Sequence, residues 1–89
     1  MFSLKWSPEA WREYIWLQEN DKATLKRVNA IIKDIQRNGF FVTLGKPEML
    51  KHDFSGYASI RIDRKNRIIY SVQNDTVFVI QCGDHYSNK

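Results

Sequence analysis

The segment from Tyr57 to Cys82 reads YASIRIDRKNRIIYSVQNDTVFVIQC, and it decides the fold. Apolar and polar residues alternate along its first part, which is the pattern of a half-buried strand. The turn-forming residues 63–66 and the pair Asn74-Asp75 divide the segment into three strands. The second strand runs from Arg67 to Gln73 and the third from Thr76 to Cys82. The spacing therefore predicts an antiparallel meander.

Two helices precede this meander, and residues 2–6 before them alternate like a short strand. Ser7 is a natural N-cap and Pro8 fits the first helical position, so the first helix begins there. Its predicted inner face consists of Ala10, Trp11, Tyr14, Ile15 and Leu17. Asp21 can cap the second helix, which ends at Asn38-Gly39. Its apolar residues recur at steps of three and four: Leu25, Val28, Ile31, Ile32 and Ile35.

This order of elements predicts an α+β fold in which an antiparallel helix pair covers one face of the sheet. We expect a single domain over residues 1–89, because a chain of 89 residues suffices for one core. The hydrophobic fraction of 43 % excludes a disordered chain. No apolar run is long enough for a membrane span, and no apolar signal core opens the chain. The one cysteine, Cys82, is compatible with a reducing cytosol.

Residues 40–56 show no regular period and are predicted to be a long connection between the second helix and the meander. Phe40-Phe41-Val42 fits either a short strand or a packed loop. A connection of this length in a small domain is either functional or poorly ordered. The segment contains His52, which is far in sequence from the other histidine, His85. With no acidic cluster beside either, the sequence predicts no metal site and no cofactor.

The chain carries 14 Lys and Arg against 10 Asp and Glu, a net charge of +4. This balance favours an anionic partner, although it serves solubility equally well. A three-residue turn at 63–65 would place Arg61 and Arg67 directly opposite one another on one face. Opposed like charges are unfavourable unless an anion lies between them. The alternative is a different turn register with two solvated arginines.

Glu48 in the long connection and His85 beyond the last strand are candidates for acid–base chemistry. A carboxylate and an imidazole on opposite sides of a phosphodiester can move protons on both reacting oxygens. Arg67 could stabilise the charge that builds on a phosphorane-like transition state. The simpler interpretation is that Glu48 is a solvated loop carboxylate and His85 a frayed terminal residue. Tyr86 could stack on a base or pack against the sheet edge.

At these residues the sequence resembles the YoeB family of bacterial toxins, within the RelE-like superfamily. The likeness runs over nearly the whole chain. It includes Trp6-Ser7, the stretch Gly45-Lys46-Pro47-Glu48 with Leu50-Lys51-His52, and the near-terminal pair His85-Tyr86. It also includes Trp11, Ser55-Gly56, Arg61-Ile62 and Arg67-Ile68-Ile69-Tyr70. The resemblance implies a RelE-like microbial-ribonuclease fold with an N-terminal strand, two antiparallel helices and an antiparallel sheet.

The same resemblance implies a cytoplasmic bacterial toxin of a type II toxin–antitoxin system that cleaves messenger RNA in the ribosomal A site. Glu48 would activate the ribose 2′-hydroxyl, His85 would protonate the leaving 5′-oxygen, and Arg67 would hold the scissile phosphate. Arg61 would lie beside Arg67, Lys51 would contact the RNA backbone, and Tyr86 would orient the substrate. The expected product carries a 2′,3′-cyclic phosphate, and no metal is required.

The implied partners are the 70S ribosome with its messenger and a cognate acidic antitoxin of the YefM type. Operator DNA would be bound only through the antitoxin complex, and a homodimer is compatible with the family. Two other functions fit the same fold, because fold does not determine function. One is a non-catalytic toxin that poisons DNA gyrase. The other is a basic module whose only role is to bind its antitoxin.

Overall fold

The computed structural model describes residues 1–83. Its elements follow the predicted order of a strand, two helices and a meander. The strands are β1 (Ser3–Trp6), β2 (Glu48–Met49), β3 (Tyr57–Arg61), β4 (Arg67–Gln73) and β5 (Thr76–Gly83). The helices are α1 (Pro8–Asn20) and α2 (Lys22–Asn38), with a short 3-10 helix at His52–Phe54.

The predicted caps are confirmed at both helices. The Ser7 hydroxyl accepts a hydrogen bond from the backbone N–H of Ala10 at 3.0 Å, which satisfies a free donor of the first turn of α1. The Asp21 carboxylate does the same for α2 by accepting from Thr24 N–H at 3.1 Å. Gly39 ends α2 with a φ of +62°, a conformation that glycine adopts readily.

The strands form one sheet in the order β1–β5–β4–β3–β2. The pairs β2–β3, β3–β4 and β4–β5 are antiparallel, as predicted for the meander. Strand β1 pairs with β5 in parallel, so the sheet is antiparallel except at this edge. The parallel pairing places Trp6 beside Val79 and brings the start of α1 back onto the sheet.

The core lies between the two helices and one face of the sheet. Alternate residues of β3 and β4 enter it, and Ala58, Ile60, Ile68 and Tyr70 are fully buried there. Cys82 is also fully buried, as expected for the end of the last strand. The helices contribute Ala10, Leu17, Val28, Ile31, Ile32 and Ile35. The intervening residues of the strands face the opposite side of the sheet.

Two details of the fold differ from the prediction. Trp11 is 48 % exposed rather than a member of the inner face of α1. Its ring packs edge-on against Trp6 at 5.9 Å, as a hydrophobic staple would, and stacks on Tyr14 at 5.9 Å, while about half of the side chain stays exposed. The long connection contains strand β2, which the sequence did not predict. Phe40-Phe41-Val42 is a loop, which is one of the two structures that the sequence allowed there. Phe40 packs against Tyr70 in that loop, while Phe41 is 87 % exposed.

Within residues 1–83, neither helix has the length and apolar character needed to cross a membrane.

Candidate active site

The candidate site lies on the face of the sheet that the helices leave uncovered. Strand β2 pairs with β3 so that Glu48 lies opposite Ser59. Strand β3 pairs with β4 so that Arg61 lies opposite Arg67. Because alternate residues of a strand share a face, Ser59, Arg61 and Arg67 all belong to the side opposite Ile60 and Ile68. The sheet register therefore gathers one carboxylate, one hydroxyl and two guanidinium groups.

Of the two registers that the sequence left open, the structure has the one that places Arg61 directly opposite Arg67. The two guanidinium groups turn away from each other along β3. Arg61 Nε donates to the backbone oxygen of Asp63 in the β3–β4 turn, at 3.3 Å. Arg67 Nη1 instead donates to the Ser59 hydroxyl at 3.1 Å. This divergence relieves the repulsion between like charges and aims Arg67 toward Glu48.

Glu48 and Arg67 form an open ion pair. The Glu48 Oε1 atom is 4.0 Å from Arg67 Nη1, and the side chains of Arg67 and Glu48 are 44 % and 73 % exposed. An ion pair this exposed contributes only about 0–1 kcal/mol to stability. Both groups remain accessible to a ligand, and Arg67 has further N–H donors beyond the one that Ser59 accepts. The pair therefore places a carboxylate, a group that can accept a proton, beside a guanidinium, a group that can bind phosphate.

Ser59 was not among the residues singled out from the sequence. Only 3 % of it is exposed, although it lies on the uncovered face, because the Arg67 side chain reaches across it. The alternation of β3 already places Ser59 on the same face as Arg61. Its position opposite Glu48 depends on β2, which has only two residues and no recognisable pattern in sequence.

The other predicted residues are placed as follows. Lys51 is exposed and precedes the 3-10 helix, three residues beyond Glu48. Among residues 1–83, its side chain forms no hydrogen bond or ion pair with Glu48 or Arg67. His85 and Tyr86 lie outside the described residues. The last residue of β5, Gly83, pairs with Arg67.

The Glu48 and Arg67 side chains of the site are open to solvent. A groove of about 670 Å³ exists elsewhere, between the C-terminal end of α1 and the β3–β4 turn. Its walls include Trp16, Leu17, Asp63 and Asn66, and none of the site residues. Within residues 1–83, no three His, Cys, Asp or Glu side chains are grouped so that they could hold a metal ion.

Comparison with known proteins identifies the family. Residues 6–86 match the model of the YoeB-like toxin of bacterial type II toxin–antitoxin systems. The toxin YoeB of Escherichia coli O6:H1 is 45 % identical over 83 residues, which is 93 % of this chain and 98 % of the relative.

Solved structures agree with this match. A Staphylococcus aureus YoeB, crystallised as a heterotetrameric complex with YefM, superposes with a TM-score of 0.87 at 37 % identity, over 97 % of this chain and 99 % of its own. The YoeB dimer from the same organism has a TM-score of 0.84 at 38 % identity, over 96 % and 98 % of the two chains. The RelE-like fold expected from the sequence is thereby confirmed. The chain belongs to the YoeB-like toxins of bacterial type II toxin–antitoxin systems.

Proposed function

We propose that this chain is a ribosome-dependent endoribonuclease that cleaves messenger RNA in the A site and so inhibits translation. The observation that carries the proposal is the placement of Glu48 Oε1 4.0 Å from Arg67 Nη1 on the uncovered face of the sheet. A carboxylate beside a guanidinium can promote the transfer of an RNA phosphodiester without a metal. One group accepts the proton of the nucleophile, and the other binds the phosphate oxygens.

The reaction is an attack of the ribose 2′-hydroxyl on the adjacent phosphorus. Glu48 accepts the 2′-hydroxyl proton while the new P–O bond forms. Arg67 binds the non-bridging oxygens, whose negative charge increases in the transition state. The bond to the 5′-oxygen then breaks, and His85 donates the proton that this leaving group needs. The products are a 2′,3′-cyclic phosphate and a 5′-hydroxyl, so atoms and protons balance without water.

In this proposal the remaining candidate residues bind or orient the RNA and take no part in the proton transfers. Arg61, opposite Arg67 in the register, supplies a second cation for the RNA backbone. Lys51 binds a neighbouring phosphate, and Tyr86 orients the substrate by stacking. Ser59 holds the Arg67 guanidinium through the 3.1 Å hydrogen bond and limits its rotamers. In this proposal Ser59 is a positioning residue, because it acts through Arg67.

The dependence on the ribosome follows from the openness of the site. The Glu48 side chain is 73 % exposed and the Arg67 side chain 44 % exposed. Such a surface does not by itself hold a flexible single strand in the in-line geometry that the reaction needs. A ribosome that presents the A-site codon in a fixed conformation supplies this orientation. The positive net charge of +4 favours association with ribosomal RNA.

The proposal includes the partners expected of the family. An acidic antitoxin of the YefM type would cover the arginine-bearing face and neutralise it, and operator DNA would be bound only through that complex. A homodimer and a bacterial cytoplasmic location belong to the same proposal. These assignments are supported by the match to the family and by the charge of the chain.

Primer extension on a defined messenger tests the proposal, with purified chain in the presence and absence of programmed 70S ribosomes. We expect cuts at the A-site codon only when ribosomes are present. Glu48→Ala and His85→Ala should each abolish them, while the matched control Glu19→Ala, an exposed carboxylate on α1, should cut normally. Undiminished cutting by folded Glu48→Ala would refute the assignment of the base. DNA damage without messenger cleavage would favour the gyrase poison instead.

A further inference from the structure

The carboxylate of Asp34 lies on the buried side of α2, where the apolar stripe would lead one to expect an aliphatic residue. Asp34 is 8 % exposed. Its Oδ2 atom accepts from Leu44 N–H at 2.6 Å, from Thr43 N–H at 2.8 Å and from the Thr43 hydroxyl at 3.2 Å. Its Oδ1 atom accepts from the Asn38 side-chain amide at 2.7 Å. One side chain thus binds the middle of the long connection to α2.

The chemistry of this contact requires an ionised carboxylate. Burial alone would raise the pKa of Asp34, but hydrogen bonds from Leu44, Asn38 and Thr43 together hold the pKa below its usual value. The four groups of residues 1–83 that form hydrogen bonds with the Asp34 carboxylate are all donors, and a carboxylate offers acceptors only. Charge-assisted bonds of this kind are roughly twice as strong as bonds between neutral groups. The loop is therefore anchored by a group for which few side chains can substitute.

The anchored residues, Thr43 and Leu44, come shortly before the proposed base, Glu48, in the chain. Gly45 follows Leu44 with a φ of +77°, and a Cβ there would come within 3.2 Å of the Ile60 side chain, so the loop crosses close over β3. Glu48 comes three residues later. The start of the loop is also fixed, because the buried Tyr70 hydroxyl donates to the backbone oxygen of Gly39 at 3.1 Å.

Strand β2 has few backbone hydrogen bonds of its own to fix its position. It has two residues, lies at the edge of the sheet, and is extended only by the bond from Leu50 N–H to the Tyr57 backbone oxygen at 2.9 Å. A strand this short has few ladder bonds with which to resist a shift in register. The position of Glu48 relative to Arg67 must then depend on how the preceding loop is anchored.

We propose that Asp34 is a positioning residue for Glu48: by binding Thr43 and Leu44 it determines where the edge strand meets β3, and hence how Glu48 faces Arg67. This inference rests on the proposed function, because it assigns Asp34 a role in the same reaction. Asp34 touches no reacting atom in this account. Its effect on cleavage passes entirely through Glu48.

A double-mutant cycle tests whether Asp34 acts through Glu48. The assay is single-turnover cleavage by the full-length chain on programmed 70S ribosomes. We expect Asp34→Ala to lower the cleavage rate by about 10- to 100-fold, as a displacement of about 1 Å can do, with little change in half-saturation by ribosomes. In the Glu48→Gln background the same change should lower the residual rate by less than about twofold. Thr43→Val is the matched control, because it removes only the 3.2 Å hydroxyl contact and keeps both backbone N–H bonds.

A general loss of folding would give a different result. It would lower the rate in proportion to the folded fraction in both backgrounds, and an equal loss in the Glu48→Gln background would overturn the proposal. If Asp34→Ala does not fold, Asp34→Asn takes its place. It keeps one acceptor oxygen but presents an N–H₂ group to a site that contains only donors. We expect an intermediate rate from it, and a wild-type rate would contradict the proposal.

Amide hydrogen exchange provides a readout that does not depend on cleavage. We expect Asp34→Ala to accelerate exchange at Leu44 and also at Leu50, whose N–H belongs to the β2–β3 pairing, while the amides of β4 stay protected. Faster exchange at Leu44 with unchanged exchange at Leu50 would show that Asp34 holds the loop but not the strand, and would refute the inference. If the wild-type chain cleaves nothing, the proposed function fails, and exchange still decides whether Asp34 positions β2.

Discussion

Removing the Glu13 carboxylate should destabilise the chain by a specific mechanism. Glu13 lies on the inner side of α1, is 7 % exposed, and accepts a hydrogen bond from the backbone N–H of the fully buried Cys82 at 2.9 Å. Glu13→Ala deprives that N–H of this acceptor in a place that water does not reach. An unsatisfied buried donor costs about 1–3 kcal/mol. For a domain of this size, 1 kcal/mol corresponds to roughly 4–8 °C, so the melting temperature should fall by roughly 5–20 °C.

Thermal unfolding followed by circular dichroism measures this shift, and Glu13→Gln is the matched control. The glutamine keeps an oxygen that can accept from Cys82, so we expect it to retain most of the stability. Exchange of the Cys82 amide should be accelerated in Glu13→Ala and not in Glu13→Gln. A melting temperature within 2 °C of the parent for Glu13→Ala, or an equal loss in both variants, would refute the reasoning.

Three further predictions concern the reactivity of the Cys82 thiol, the stability of the fold in acid and the salt dependence of ribosome binding. Burial, together with the nearby Glu13 carboxylate, raises the pKa of Cys82 to about 12, so at pH 8 a thiol reagent should label native protein about 100-fold or more slowly than urea-unfolded protein. The pKa of Asp34 in the folded chain lies below its usual value of 3.8. The ionised carboxylate therefore stabilises the fold fully at pH values above its pKa in the unfolded chain, and this contribution is lost as the pH falls through its pKa in the folded chain. Urea midpoints measured from pH 5 to pH 2 should therefore decline less steeply for Asp34→Asn than for the parent. Lys51→Ala should reduce the slope of log ribosome affinity against log salt by about one, and Lys33→Ala on α2 should leave it unchanged.

Much of the fold could be predicted from local signals in the sequence. Ser7 and Asp21 were recognisable as caps because their short polar side chains precede amphipathic stretches. Strand β4 matches its predicted range, Arg67 to Gln73, because a turn signal bounds it on each side. Hairpin geometry offered the opposition of Arg61 and Arg67 as one of two registers, because parity and turn length determine which residues face each other, and the structure has that register.

The remaining features depend on contacts between distant parts of the chain. The parallel pairing of β1 with β5 joins segments that are about 70 residues apart, and no pattern within either strand reveals its partner. Strand β2 is too short to show a period, so the position of Glu48 opposite Ser59 could not be read from the sequence. Asp34 lies three residues after Ile31 on the buried stripe of α2, and a carboxylate at such a position implies hydrogen-bond donors from another part of the chain.

The chemical ends of the cleaved messenger test the central claim most directly. Fragments from programmed 70S ribosomes treated with the purified chain would be separated and analysed by mass spectrometry, beside a Glu48→Ala sample. Attack by the ribose 2′-hydroxyl predicts a 2′,3′-cyclic phosphate on the upstream fragment and a 5′-hydroxyl on the downstream one, with neither formed by the variant. A 3′-hydroxyl with a 5′-phosphate would mean that water is the nucleophile and would contradict the account.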